Sequence, residues 1–152
     1  MPQFDTTRRV KHSAENMFSL VADVTAYPQF VPLCRSLTVR RRDTLPDGRD
    51  VLVAEMTVAY KVIKETFTSR VVLDRANNII DVSYLDGPFK ELHNRWTFTP
   101  VDEATTDVHF AIRYEFKNRM LATMMGSVFD HAFRRFATAF EDRANTVYGV
   151  PA

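Results

Sequence analysis

The sequence predicts an α+β domain in which a curved antiparallel sheet of about seven strands wraps around one long C-terminal helix, with one or two short helices after the first strand. Three observations lead there. From Cys34 to Phe116 the chain keeps a period of two, broken by turn signals at 46–49, 76–78 and 87–89. From Asn118 to Val147 there is no proline, and apolar residues recur at three- and four-residue steps. Before residue 34 one segment has helical spacing, and Pro28 and Pro32 stop it soon after.

Taken in order, "FDTTRRVKH" (4–12) is extended and leads to Ser13, an N-cap for a helix carrying Met17, Phe18, Val21 and Ala22 on one face. "TAYPQFVPL" (25–33) is limited to one or two helical turns, because each proline also biases the residue before it away from helix. "SLTVRRRDTL" and "DVLVAEMTVAY" flank "PDGR", a hairpin with Asp47-Gly48 at its tip. "KETFTSRVVLDR" follows, and the turn "ANN" uses the tolerance of Asn for positive φ. "IIDVSYLD", "GPF" and "KELHNRWTFTPV" make the next pair of strands, and "DEATT" leads into "DVHFAIRYEFK". In that last strand Val108, Phe110, Ile112, Tyr114 and Phe116 point one way and His109, Arg113 and Glu115 the other, so one sheet face is covered. The terminal helix, about 30 residues and about 45 Å long, is sized to lie across the sheet, with Gly126 as its expected bending point.

The 152 residues suit one domain with one core. A net charge of +1, with 26% charged and 45% hydrophobic residues, gives no sign of a nucleic acid such as DNA, an anionic membrane or a strongly charged substrate. The single cysteine, Cys34, excludes an internal disulfide. With no apolar run of about 20 residues and no signal-peptide core, the expected place is the cytoplasm. The four glycines stand too far apart for a phosphate loop, and His12, His93, His109 and His131 lack metal-ligand spacing. No acid–base pair is positioned by spacing, so neither a catalytic residue, a metal nor a cofactor is expected. Arg40-Arg41-Arg42 and Arg134-Arg135 read as solvated faces first and as contacts to RNA second.

The apolar inventory is more informative. The inward positions of the sheet are Met56, Val58 and Tyr60, Phe67 and Val71, Val82 and Tyr84, Leu92, Trp96 and Phe98, and Phe110, Ile112 and Tyr114. The terminal helix adds Met124, Met125, Val128, Phe129, Phe133 and Phe136. These residues by themselves allow either a filled core or a cavity between sheet and helix. Twelve phenylalanines and the methionines Met120, Met124 and Met125 favour a cavity for a flexible apolar ligand. Tyr27, Phe30, Val31 and Leu33, stiffened by two prolines, form an apolar rim expected to lie beside Phe89 of "GPF". Such a rim is either a plug at the sheet end or a portal suited to transient membrane contact.

Three stretches carry a family resemblance that covers nearly the whole chain: "DVTAYPQFVPLC", "DGPFKELHNRWTF" and "FDHAFRRFATAFEDRANTVYG". Their pattern resembles the START-like, helix-grip superfamily, the polyketide cyclase/dehydrase and lipid transport group. Within it the chain looks like the coenzyme Q-binding protein branch, whose bacterial members are labelled ribosome association toxins. Two departures stand out: Leu33 where relatives commonly have tryptophan, and Asn94 where many have glycine, Asn being the next-best residue if that strand position bulges with positive φ. The resemblance implies a hydrophobic ligand, ubiquinone or another polyprenyl quinone, held by the residues above and supporting respiration, with Tyr60, Tyr84, Tyr114 or Asn94 orienting its head. It implies a location in the cytoplasm or at the inner face of the membrane. The alternatives are association with the large ribosomal subunit, blocking subunit joining, and cyclase/dehydrase-type catalysis.

Overall fold

The computed structural model describes residues 3–150. Strand β1 (Gln3–Val10) leads into helix α1 (Ala14–Ala22) and a 3₁₀ turn (Val24–Gln29). Strands β2 (Cys34–Thr44), β3 (Asp50–Tyr60), β4 (Ile63–Asp74), β5 (Ile79–Asp86), β6 (Phe89–Asp102) and β7 (Thr105–Phe116) follow, then α2 (Arg119–Arg134) and α3 (Phe136–Tyr148). All seven strands form one antiparallel sheet in the order β1-β7-β6-β5-β4-β3-β2, so β1 closes back on the last strand and β2 is the far edge.

Local chemistry explains the boundaries. The Ser13 hydroxyl accepts the Asn16 amide at 3.1 Å and starts α1. The Asn118 side chain does the same for Leu121 at 2.9 Å and starts α2. Asn78 supplies the left-handed position that ends the 3₁₀ turn Arg75–Asn77. Every inward residue of β7 from Val108 to Phe116 is buried, as its alternation requires.

One expectation needs correction and one condition is not met. The C-terminal helix is not continuous: it breaks at Arg135, whose φ of −97° and ψ of −5° leave the α-helical ladder. Gly126, the anticipated bending point, sits inside α2 with open space where a Cβ would be, so nothing forces a bend there. The cause lies in the aromatic residues either side of the break. Phe133 packs against Tyr114 and Phe136 against Phe110, and the two rings meet edge-on at 5.4 Å. A straight rod would draw one of these rings off the concave sheet. Asn94 does not bulge either. It pairs in unbroken register with Val82 and Ile112. Among the described residues, the non-glycine positions with positive φ are Leu33, Lys61 and Asn78.

Candidate functional site

The concave face of the sheet and the two C-terminal helices do not close completely on each other. Between them lies a cavity of about 100 Å³. Its floor is built by alternate residues of neighbouring strands, which period two sends to one face: Ala54, Met56 and Val58 from β3, Phe67, Ser69 and Val71 from β4, Ile80 and Val82 from β5. Leu92, Asn94 and Trp96 of β6 and Ile112 of β7 continue it. Phe129, Ala132 and Phe133 of α2 and Phe136 and Phe140 of α3 roof it, and Val24, Tyr27, Pro32, Leu33 and Leu37 close one end. No Asp, Glu, His, Lys or Arg contributes to this wall. Ser69, Asn94 and the indole N–H of Trp96 supply its polar groups together with Tyr27, whose hydroxyl is already committed to the Val21 carbonyl.

Of the residues singled out from the sequence, Leu33, Met56, Val58, Phe67, Leu92, Trp96, Ile112, Phe129 and Phe133 meet at this cavity. Others take different places. Phe89 is the hub of a separate aromatic cluster, within 6.0 Å of Phe67, Tyr84, Tyr114, Phe116 and Phe129. Phe98 packs on Phe18 of α1, and Phe110 packs on Trp96 and Phe4. Met125 is buried one helical turn before Phe129, outside the cavity, and Val128 is half-buried on the flank of α2. Met124 is 55% exposed and Tyr60 42% exposed, both turned to solvent, because the first lies about 100° round the helix from Met125 and the second ends its strand at the β3–β4 turn.

Two of the proposed head-orienting tyrosines are occupied elsewhere. The Tyr84 hydroxyl accepts the Phe89 amide at 3.0 Å and so braces the β5–β6 turn. Tyr114 is buried among Phe89, Phe116 and Phe133. Burial raises the pKa of its hydroxyl. Ser69 escaped the sequence reading, although the alternation Phe67, Ser69, Val71 put a hydroxyl on an inward face and so contained the signal.

The proline-braced rim combines plug and border. Tyr27 and Phe30 stack edge-on against Phe140 at 5.3 and 5.0 Å, not beside Phe89, because α3 passes over this end of the sheet. Val31 is buried beneath them. Leu33, next along, borders the cavity with φ at 68°, a left-handed conformation that costs a bulky residue. Its carbonyl accepts the Ala59 amide at 3.0 Å, which ties the strained turn to β3. Burial pushes the Cys34 thiol up to about 11, so it stays protonated at neutral pH and is a poor nucleophile.

The outer face is polar and mostly self-paired. Asp81 is held below the usual carboxylate range: burial pushes it up, but hydrogen bonds and charge from Arg95 and His93 outweigh that. Arg40 and Arg41, which alternation alone would set on opposite faces, are both exposed because a register shift interrupts the edge strand between Val39 and Arg41. They pair with Glu55 and Asp43. No helix among the described residues is long and apolar enough to cross a membrane.

Comparison with known proteins agrees with this architecture. The ribosome association toxin RatA of Vibrio cholerae is 37% identical over 149 residues, covering 98% of this chain and 99% of the relative. The mitochondrial coenzyme Q-binding protein COQ10 of Dictyostelium discoideum is 28% identical, covering 95% of this chain and 70% of that protein. The solution structure of an 18 kDa protein from Caulobacter crescentus superposes with a TM-score of 0.78 at 33% identity, covering 99% of this chain and all of that one. The family described as polyketide cyclase / dehydrase and lipid transport matches residues 10–141. A curved sheet gripping C-terminal helices around an apolar cavity, with that match across most of the sequence, places this chain in the polyketide cyclase/dehydrase and lipid transport family, with RatA and COQ10 among its relatives.

Proposed function

We propose that the protein binds a polyprenyl quinone such as ubiquinone in the cavity between sheet and helices and passes it between sites of use in respiratory electron transport. The observation that carries this reading is the cavity wall itself: predominantly apolar, without acid or base, and bordered by a strained turn. Desolvation is the driving force. Burying about 200 Å² of apolar ligand surface is worth about 5 kcal/mol before ordering costs. The free volume of about 100 Å³ is below the roughly 150 Å³ that accommodates benzene in an engineered protein cavity. Ligand entry therefore requires side chains to move, and flexible Met56 and the strained Leu33 are placed to do so.

Delivery needs contact with a lipid surface. The β3–β4, β5–β6 and β7–α2 connections share one end of the antiparallel sheet, and there Tyr60, Val62 (97% exposed), Leu85, Met120 and Met124 face solvent. Lys61, Lys64, Lys117 and Arg119 lie between them and form no ion pair among the described residues. Glu65 and Asp86 lie at the same end, so its charge is mixed with cations in excess; apolar tips among such cations suit the interface of an anionic bilayer.

The test is solvent extraction and mass spectrometry of purified protein, with titration of a short-tailed quinone followed by emission of Trp96, the single tryptophan, which lines the cavity. Co-purified or added quinone should quench it saturably. Protein that carries no lipid and leaves Trp96 unquenched overturns the reading.

The relatives named as ribosome association toxins favour a second reading, in which the chain binds the large ribosomal subunit. Arg135, exposed at the helix break and unpaired among the described residues, is the cation on which to test it. Cosedimentation with isolated subunits should be lost in Arg135→Glu if this holds. Failure of the wild-type protein to sediment with either subunit removes it. Catalysis of the cyclase/dehydrase type has no acid or base on this cavity wall to serve it.

A further inference from the structure

Ser69 and Asn94 interrupt the apolar wall in two different states. Asn94, 8% exposed, donates from Nδ2 to the Ala111 carbonyl at 3.0 Å. A carbonyl can only accept, so this bond settles the amide's orientation and leaves Oδ1 as its uncommitted end. Oδ1 has no partner among the hydrogen bonds of the described residues, and it can only accept. Ser69 is a 5% exposed residue of the cavity wall, and its Oγ is buried with no hydrogen-bond partner among the described residues. Folded proteins satisfy the great majority of buried hydroxyls, because an unmet one carries its full desolvation penalty. Nothing in the strand calls for serine here. Phe67 and Val71 flank it on the same face, and Ala54 is its partner across β3. Alanine would fit the same place without the penalty.

The register relates the two groups. Val71 pairs with Val82 and Val82 with Asn94, so Asn94 stands two strands from β4, and Ser69 lies one inward step from Val71. That is about 10 Å across the sheet and about 7 Å along it between backbones, before the two side chains converge on the concave side. A six-membered ring with oxygens on opposite sides, each in hydrogen-bond contact, bridges a gap of that order.

Building on the quinone reading, we infer that Ser69 and Asn94 form the head-group site, and that it selects a ring bearing a hydroxyl over the same ring bearing carbonyls alone. The chemistry is asymmetric. The Ser69 hydroxyl can donate or accept and so satisfies either form. Asn94 Oδ1 requires a donor, which the reduced hydroquinone has and the oxidised quinone lacks. A dicarbonyl head would leave Oδ1 facing another acceptor in an apolar site.

The experiment compares three probes with one ten-carbon tail: a benzoquinone, its hydroquinone kept reduced with excess dithionite under argon, and the plain alkylbenzene. Binding is measured by calorimetry on the wild type, Ser69→Ala and Asn94→Leu. The wild type should bind hydroquinone about 5-fold more tightly than quinone, and Asn94→Leu should abolish that preference. Ser69→Ala should weaken both ring forms about 5-fold, leave the alkylbenzene unchanged, and raise the ligand-free Tm by about 2–4 °C. A lower Tm in Ser69→Ala means that the hydroxyl is structural and overturns the proposal. So does equal binding of the two redox forms by the wild type. If all three probes bind equally in wild type and Ser69→Ala, the head-group site fails while the lipid cavity stands. If none binds the wild type, the quinone reading fails with it. Ser69→Ala decides the matter alone if Asn94→Leu does not fold.

Discussion

Replacing Gly87 with alanine will cost the protein about 3–5 kcal/mol, the sum of backbone strain and steric overlap. Gly87 opens the β5–β6 turn at φ +141°, where L side chains are rarely found. A Cβ there would stand 2.5 Å from the Cβ of Phe67 and 2.9 Å from its Cα. The second contact is with backbone, so no rotamer change relieves it. Relief would have to come from moving β4 away from the turn. That would also pull on Phe67, which packs edge-on against Phe89 at 5.7 Å, and on the Tyr84–Phe89 hydrogen bond beside it. Set against a total stability of about 5–15 kcal/mol, the loss should appear as a large fall in the urea midpoint. A Gly87→Ala protein that unfolds within about 0.5 kcal/mol of wild type would show that this turn is not under the constraint described.

Ala54→Leu should do the reverse: keep the fold and remove the binding. Ala54 is buried on β3 and its methyl faces the cavity opposite Ser69. Three added carbons project into a space of about 100 Å³. Cavity-filling substitutions commonly leave stability unchanged or raise it by about 0.5–2 kcal/mol. A ligand that needs that space should lose at least about 30-fold in affinity, about 2 kcal/mol. Thermal unfolding and Trp96 titration on the same sample separate the two effects. Undiminished binding in a stable variant would locate the ligand elsewhere.

Much of the architecture was legible because it follows from two periodicities. The alternation of β7 and the Asp47-Gly48 turn specify their elements locally, and the buried face of β7 is the one its pattern names. What was not legible depends on packing between distant residues. The break at Arg135 answers to Phe133 and Phe136 meeting different strand residues, and no local signal marks it. The cavity shows the same division. Leu92, Trp96 and Ile112 line it as alternation on their strands requires. Phe98 and Phe110 obey the same alternation, and Phe89 joins their face only through the register shift before Glu91; all three pack against other aromatics, since facing inward does not say whether a neighbour will fill the space. Met124 and Met125 differ by a single helical step, which is enough to expose one and bury the other. Ser69 has no hydrophobic signal to place it in a cavity wall; its polarity on an inward face is what distinguishes it.

The far strand of the sheet, β2, has no strand partner on its outer side, an open template on which a second chain could lengthen the sheet. Three successive exposed arginines, Arg40 to Arg42, and an irregular step after Val39 interrupt that template along its outer half. A neighbour adding there would have to desolvate guanidinium groups and follow a kinked line of donors and acceptors. The same residues that read as a basic run thus keep a protein rich in β-structure from stacking edge to edge.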